Sequence, residues 1–254
     1  MVIIVFILGL IIGSFLNVCI YRIPRHISIV YPPSRCWNCH KPIKPYDNIP
    51  LISYLILKGR CRYCKKKISW RYPLVEMLTA CLFVLLYFKF GLGLDFIKQT
   101  IFIALLIIIG FIDFEFQIIP NSITFPGIIV GLFLNYRAHN YFREIFGGVL
   151  LCAGILWLFR MIGFWIRKQE MMGLGDVKLA AMVGAFLGLK NGLLSIFIGV
   201  LLGILVWSIL MLLRLRSRKD LIPFGSFMAI GCIIAVFLGE LIIKWYWGVF
   251  NLDY

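Results

Sequence analysis

Two aspartates carry the first chemical reading of this 254-residue chain. A carboxylate inside or beside a long apolar run is costly to hold in lipid, so each one that occurs is a functional candidate. Of the eleven acidic residues, Asp47, Asp95, Glu144, Glu170, Asp220 and Asp253 fall in polar loops or the tail, where solvation explains them. Glu76, Asp113, Glu115, Asp176 and Glu240 remain. Asp113 closes the third apolar run, in Gly110-Phe-Ile-Asp113-Phe-Glu115, and Asp176 opens the sixth, in Met172-Gly173-Leu-Gly175-Asp176-Val-Lys178. Two carboxylates held together keep one shared proton, because both cannot ionise easily. The ionised partner can activate water while the protonated one polarises a peptide carbonyl, which is aspartic-protease chemistry. Taken singly, Asp176 also reads as a helix N-cap and Asp113 as a boundary anchor. Glu115, two positions from Asp113, points elsewhere on a helix and ranks second.

Asp176, Ala180, Gly184 and Gly188 recur every four residues and share one helical stripe. Small residues on such a stripe admit a second helix at close range, so Asp176 is expected to face protein rather than lipid. Gly173 and Gly175 permit irregular backbone just before it, which is tolerated at membrane depth only beside a cavity.

A second constellation is Cys36-x-x-Cys39 followed, after 21 intervening residues, by Cys61-x-x-Cys64. Each pair sets two thiolates on one tight turn, and two such turns complete a tetrahedron around Zn²⁺. Arg35, Arg60, Arg62 and Lys65 would offset the charge of four thiolates. A closed four-thiolate site is structural, since catalytic zinc keeps an open position. Redox chemistry is the alternative. Cys19, Cys81, Cys152 and Cys232 lie in apolar runs and read as small buried side chains. His26, His40 and His139 occur singly and read as solvated, with His40 a conceivable substitute ligand.

The elements that must position these groups are membrane helices. The chain is 62% hydrophobic and 15% charged, against about 45–50% and about 25% in soluble domains. That excludes a soluble enzyme, a disordered chain and a disulfide-rich secreted module. Eight apolar runs, at 1–20, 73–88, 96–114, 120–136, 145–166, 171–189, 193–213 and 224–248, predict an all-α polytopic membrane protein. With an outside N-terminus, alternating spans put 20 basic residues on the cytoplasmic side and six opposite, a clear positive-inside bias. Both termini are then outside, and Asp113 and Asp176 share the cytoplasmic boundary. The net charge of +15 is explained by this topology, so nucleic acid is not an expected partner. Three parts follow: a first transmembrane helix at 1–20, a cysteine-rich cytoplasmic insertion at 21–72, and a seven-helix peptidase domain at 73–254.

These residues resemble the type IV prepilin peptidases, the leader peptidase/N-methyltransferases. The resemblance runs through Gly13-Ser-Phe-Leu-Asn17, the two cysteine pairs, Asp47-Asn48-Ile-Pro50 and Arg71-Tyr72-Pro73-x-Val-Glu76. It continues with Ile112-Asp113 and Gly173-x-Gly175-Asp176-x-Lys178, a GxGD signature shared more loosely with presenilin-type proteases. It implies a multi-pass enzyme of the bacterial plasma (inner) membrane whose active site faces the cytoplasm. Such an enzyme cleaves the leader of type IV prepilins or pseudopilins after a glycine, then methylates the new N-terminal amine from S-adenosylmethionine. Asp113 and Asp176 map onto the catalytic pair, with Gly173, Gly175 and Lys178 as motif support. The pathway served (type IV pilus, type II secretion or DNA uptake) and the oligomeric state stay open.

One departure is Ile119-Pro120-Asn121, where many members have Ile-Pro-Asp; Asn121 is expected to cap the fourth span. For methyl transfer, which needs a carboxylate beside the amine, Glu76 is the candidate, with Asn17, Arg22 and Asp47 behind it. A structural ion pair between Glu76 and a nearby arginine is the competing reading. Three rivals for the whole chain are a monofunctional GxGD intramembrane protease, a cation transporter using the same aspartates, and a zinc-linked membrane scaffold that would tolerate loss of either carboxylate. The first leaves the cysteine insertion unexplained. The second predicts inverted repeats, and none is evident.

Overall fold

The computed structural model describes residues 1–139, 142–168, 173–215 and 222–249. Met172, Glu170, Asp220 and Asp253 therefore lie outside the described residues. Eight helices are present among them: α1 (Val2–Arg22), α2 (Ile52–Ile56), α3 (Arg71–Phe90), α4 (Leu94–Phe116), α5 (Asn121–His139), α6 (Phe142–Arg167), α7 (Leu174–Leu212) and α8 (Phe224–Val249). Extended pairing among the described residues is limited to two isolated bridges, Arg35 with Pro42 and Arg60 with Lys67.

Six helices (α1, α3, α4, α6, α7 and α8) are long and apolar enough to cross a membrane. Eight crossings are expected from the sequence, and the difference lies in two places. α5 carries Asn121, Ser122, Thr124 and Asn135, with Pro126 inside the helix, and these dilute its apolar character. α7 is one 39-residue element in place of two runs, about 58 Å at 1.5 Å per residue. It does not run straight. Gly188 has φ 70° and ψ −167°, outside the helical region. A Cβ on Gly192 would stand 3.6 Å from the Gly184 Cα, although residues eight apart in a straight helix lie about 12 Å apart along the axis. The chain thus folds back at Gly188, and a side chain there would be strained whatever the space.

The first of two compact units, Met1–Phe96, is built on α1 and α3. Gly9 and Gly13 form a small-xxx-small stripe on α1. A Cβ at Gly9 would meet the backbone of Ala80, and one at Gly13 would lie 2.7 Å from the Glu76 Cα. The rising numbers on α1 meet falling numbers on α3, so the pair is antiparallel and packed at backbone distance. Leu16 and Ile20 of α1 and Val75, Phe83 and Leu86 of α3 are buried as well.

In the second unit, Ile97–Tyr254, α6 and α8 both pack on the folded α7. Phe102 of α4 stacks on Phe186 of α7, with ring centroids 4.6 Å apart. The break at Gly188 frees helix-end carbonyls that need donors. Asn135 Nδ2 donates to the carbonyls of Ala185 (2.6 Å) and Phe186 (3.0 Å), and Lys98 Nζ donates to Asn135 Oδ1 at 3.0 Å. A buried cation beside a helix C-terminus complements its dipole. This network fixes the far end of the half-helix whose first turn carries Asp176.

Candidate active site

Asp113 stands in the last turn of α4. Gln117 ends the helix in the left-handed region (φ 55°), its N–H donating to the Asp113 carbonyl at 2.8 Å. The start of α8 meets the Asp113 side chain. Ser226 donates to Asp113 Oδ2 through its backbone N–H (2.8 Å) and through its hydroxyl (3.1 Å). The Gly225 N–H adds a further donor to this carboxylate. The same hydroxyl lies 2.8 Å from the Gly110 carbonyl. It has one proton, so it donates to Asp113 when that carboxylate is ionised. When Asp113 is protonated, the hydroxyl can turn to Gly110 and accept from Asp113. A Cβ on Gly225 would lie 3.1 Å from Asp113 Cγ and 3.0 Å from Ile119 Cδ1. A side chain at this position, the second of α8, would crowd both groups.

Asp176 is the third residue of α7, and Gly173 is the N-cap. The N-cap reading of Asp176 is therefore corrected: the chain enters the helix through extended backbone at Gly173 (φ −70°, ψ 148°), and the Asp176 N–H donates to the Gly173 carbonyl at 3.2 Å. The Gly173 N–H is the donor to its carboxylate. A Cβ on Gly175 would stand 2.9 Å from Ile119 Cβ. Ile119 therefore touches both the glycine beside Asp176 and the glycine beside Asp113. The two carboxylates, 63 residues apart in sequence, are within electrostatic range of each other. Glu115 is exposed.

Asn121 begins α5 without taking the expected capping role. Its Oδ1 accepts from Lys178 Nζ at 2.8 Å, while the Pro120 carbonyl receives the N–H groups of Ile123 and Thr124. The Lys178 ammonium also lies 5.3 Å from the centroid of the Phe125 ring.

The cysteine pairs and the methyl-transfer candidates belong to the first unit. The two knuckles repeat one backbone pattern. The N–H of Cys36 donates to Lys41 and that of Cys61 to Lys66, while His40 and Lys65 donate back to Cys36 and Cys61. His40 and Lys65 both have φ 55°. The Sγ atoms of Cys36, Cys39, Cys61 and Cys64 all lie within 4.8 Å of one another, and Cys36 and Cys64 approach to 3.8 Å. Tetrahedral Zn–S bonds of about 2.3 Å require Sγ atoms about 3.8 Å apart, so the donor set fits zinc. The Lys66 N–H, aided by Asn38, lowers the pKa of the Cys64 thiol, which favours the thiolate that binds metal, while the neighbouring thiols raise that of Cys39 within the same cluster. His40 is exposed.

Glu76 is buried and accepts the Leu51 N–H at 2.8 Å and a bond from Ser14. Asn17, one turn along α1 from Gly13, donates to the carbonyls of Gly13 (3.3 Å) and Tyr72 (3.0 Å), and its buried Oδ1 has no partner. Glu76 and Asn17 thus share one seam. Arg22 is occupied elsewhere, donating to the carbonyls of Ser28 and Pro32, each at 2.8 Å. Asp47 is clasped by Arg62 of the second knuckle, with the Nε–Oδ2 distance 2.8 Å. Arg62 holds the Asp47 carboxyl below the ordinary carboxylate range.

Ser226, Ile119 and Leu51 are site residues that sequence reasoning passed over. The signal for the first was Pro223-Phe-Gly225-Ser226 at the start of an apolar run; the other two contacts leave no local trace.

Comparison with known proteins gives the family of the chain. Residues 7–90 match the bacterial peptidase A24 N-terminal domain, and residues 100–208 match the type IV leader peptidase family. A protein named prepilin leader peptidase/N-methyltransferase in Bacillus subtilis is 35% identical over 245 residues, covering 96% of each chain. The protein of that name in Legionella pneumophila is 34% identical, covering 98% of this chain and 95% of its own. One from Myxococcus xanthus is 42% identical over 72% of this chain and 55% of its own. No solved structure matches.

Proposed function

The chain belongs to the type IV leader peptidase family, and on that footing we propose that it removes the leader of type IV prepilins or pseudopilins and N-methylates the residue exposed. The observation that supports the peptidase half is the meeting of the α4 end, the α7 start and the α8 start around Ile119, with Asp113 and Asp176 within electrostatic range of each other. Asp113, held by Ser226 and Gly225, acts as the ionised base that takes a proton from water. Asp176 holds the shared proton and donates it to the scissile carbonyl. The carbonyl carbon gains the water oxygen, and the C–N bond then breaks as the leaving amine takes a proton from the pair. Lys178, tied to Asn121, and the glycines at 173 and 175 hold the start of α7 in place.

Glu76 and Asn17 serve the methyl transfer in this reading. Glu76 would hold the new N-terminal amine and take its proton, and S-adenosylmethionine, when bound, supplies an electrophilic methyl group. The orphaned Asn17 oxygen offers a second acceptor in the same seam. Cys36, Cys39, Cys61 and Cys64 would hold a structural Zn²⁺ that fixes the insertion. The topology that suits these roles has eight crossings, with the two halves of α7 as separate spans, both termini outside, and the insertion and both aspartates at the cytoplasmic face of the bacterial plasma membrane. The three-part division at 1–20, 21–72 and 73–254 goes with it.

Co-expression with a candidate prepilin tests both halves at once. Leader loss on a gel and an N-terminal mass increased by one methyl group are expected. An unprocessed prepilin across several candidates would contradict the peptidase reading.

A further inference from the structure

The insertion carries twelve basic residues against one acid over 21–71, a poor surface for a basic leader unless something neutralises it. Between its two knuckles lies the short α-helix α2, and α2 is pinned at an informative depth. The N–H of Leu51, directly before α2, donates to Glu76 Oε2 at 2.8 Å. Glu76 lies five residues beyond the first residue of α3, about 7–8 Å along its axis. The 20 residues of α3 amount to about 30 Å, no more than the hydrocarbon thickness of a bilayer. The start of α2 is therefore level with the first turns of a membrane-crossing helix, at the boundary between headgroups and acyl chains. Tyr54 of α2 lies against Trp70, the residue that precedes α3, with ring centroids 6.1 Å apart.

The surface at this level is apolar. Leu55, Ile56 and Trp70 are 73%, 70% and 78% exposed, while Ser53 is turned inward onto the Tyr46 carbonyl at 2.8 Å. Directly beyond it, Ile56, Leu57, Lys58, Arg60 and Lys65 line an open pocket of about 460 Å³. Three cations on an apolar shelf, at headgroup depth, form a complementary seat for a phosphodiester with its acyl chains against α2. The chain is tethered to the membrane on both sides of the insertion by α1 and α3, so this face needs no separate recruitment.

We propose that α2 and Trp70 form an interfacial wedge in the bilayer, and that Lys58, Arg60 and Lys65 bind the headgroup of an anionic phospholipid beside it. The wedge accounts for exposed apolar side chains on a polar insertion. The bound headgroup lowers the positive field that a basic leader would otherwise meet. The proposal rests on the membrane-crossing reading of α1 and α3, and it is independent of which reaction the aspartates perform.

The test uses the full chain carrying a photo-crosslinking benzoylphenylalanine at Leu55, reconstituted in nanodiscs of phosphatidylcholine alone or with about one third phosphatidylglycerol. A lipid adduct enriched severalfold with phosphatidylglycerol is expected. In the Lys58→Gln variant that enrichment should fall about twofold or more, while prepilin cleavage in detergent stays at the wild-type level. Equal adduct yields in the two lipid mixtures, an adduct to protein only, or no adduct at all would each overturn it. A chain that cleaves no prepilin yet still gives the phosphatidylglycerol-dependent adduct would refute the peptidase reading and leave the lipid seat standing.

Discussion

Replacing Ser226 by alanine removes the hydroxyl donor to Asp113 while leaving the backbone N–H at 2.8 Å in place. The hydroxyl sits 3.1 Å from Oδ2, and a hydrogen bond to a charged group contributes about 1.5–3 kcal/mol. If that bond holds Asp113 as the base in the transition state, its loss slows the chemical step roughly ten- to 150-fold. The remaining N–H places the expected effect in the lower half of that range. If the hydroxyl acts only through Asp113, kcat should fall with KM nearly unchanged. Ser226→Thr keeps the hydroxyl and should recover most of the rate. The assay is initial-rate cleavage of a purified prepilin in detergent. A Ser226→Ala enzyme within about twofold of wild type, or a threonine variant no better than alanine, would refute the reasoning that Asp113 is held through α8.

Three further outcomes are expected. Purified protein should contain about one zinc per chain, and Cys61→Ser should lose it; metal analysis finding none in the wild type would reject the four-thiolate site. Glu76→Gln should lower methylation of the mature pilin about 100-fold while leader removal continues, and mass spectrometry showing full methylation would reject that role. The Arg62 clasp depresses the Asp47 carboxyl from its ordinary value of 3.8, so its stabilisation is present above that value and is lost as pH falls through the depressed one. Asp47→Asn should therefore release zinc to a chelator faster than wild type at neutral pH; equal release rates would show that the clasp does not hold the knuckles together.

Local signals in the sequence proved readable and distant ones did not. Each C-x-x-C pair specifies its own turn, and the two knuckles repeat one backbone pattern. Asp113 and Asp176 stand out as candidates because lipid makes a carboxylate conspicuous, and the structure puts them within electrostatic range of each other. The fold-back at Gly188 was legible only as two apolar runs, since length alone forbids 39 residues in one straight crossing. Lys98 enters the sequence reading only as one of the six basic residues opposite the cytoplasmic side; its bond to Asn135, which in turn caps the helix-end carbonyls, depends on a break that the residues around Lys98 do not encode. Asn121 looked like a cap because its neighbour is proline, but its partner lies 57 residues away. The same limit hid Ser226, whose type is ordinary at a helix start and whose partner is 113 residues distant.

The most direct measurement is prepilin cleavage by Asp113→Asn and Asp176→Asn, each expressed in membranes at wild-type level and shown to fold by retained zinc. Complete loss of leader removal in both variants is the predicted result. Wild-type cleavage by either one would contradict the claim that these two side chains act as a pair.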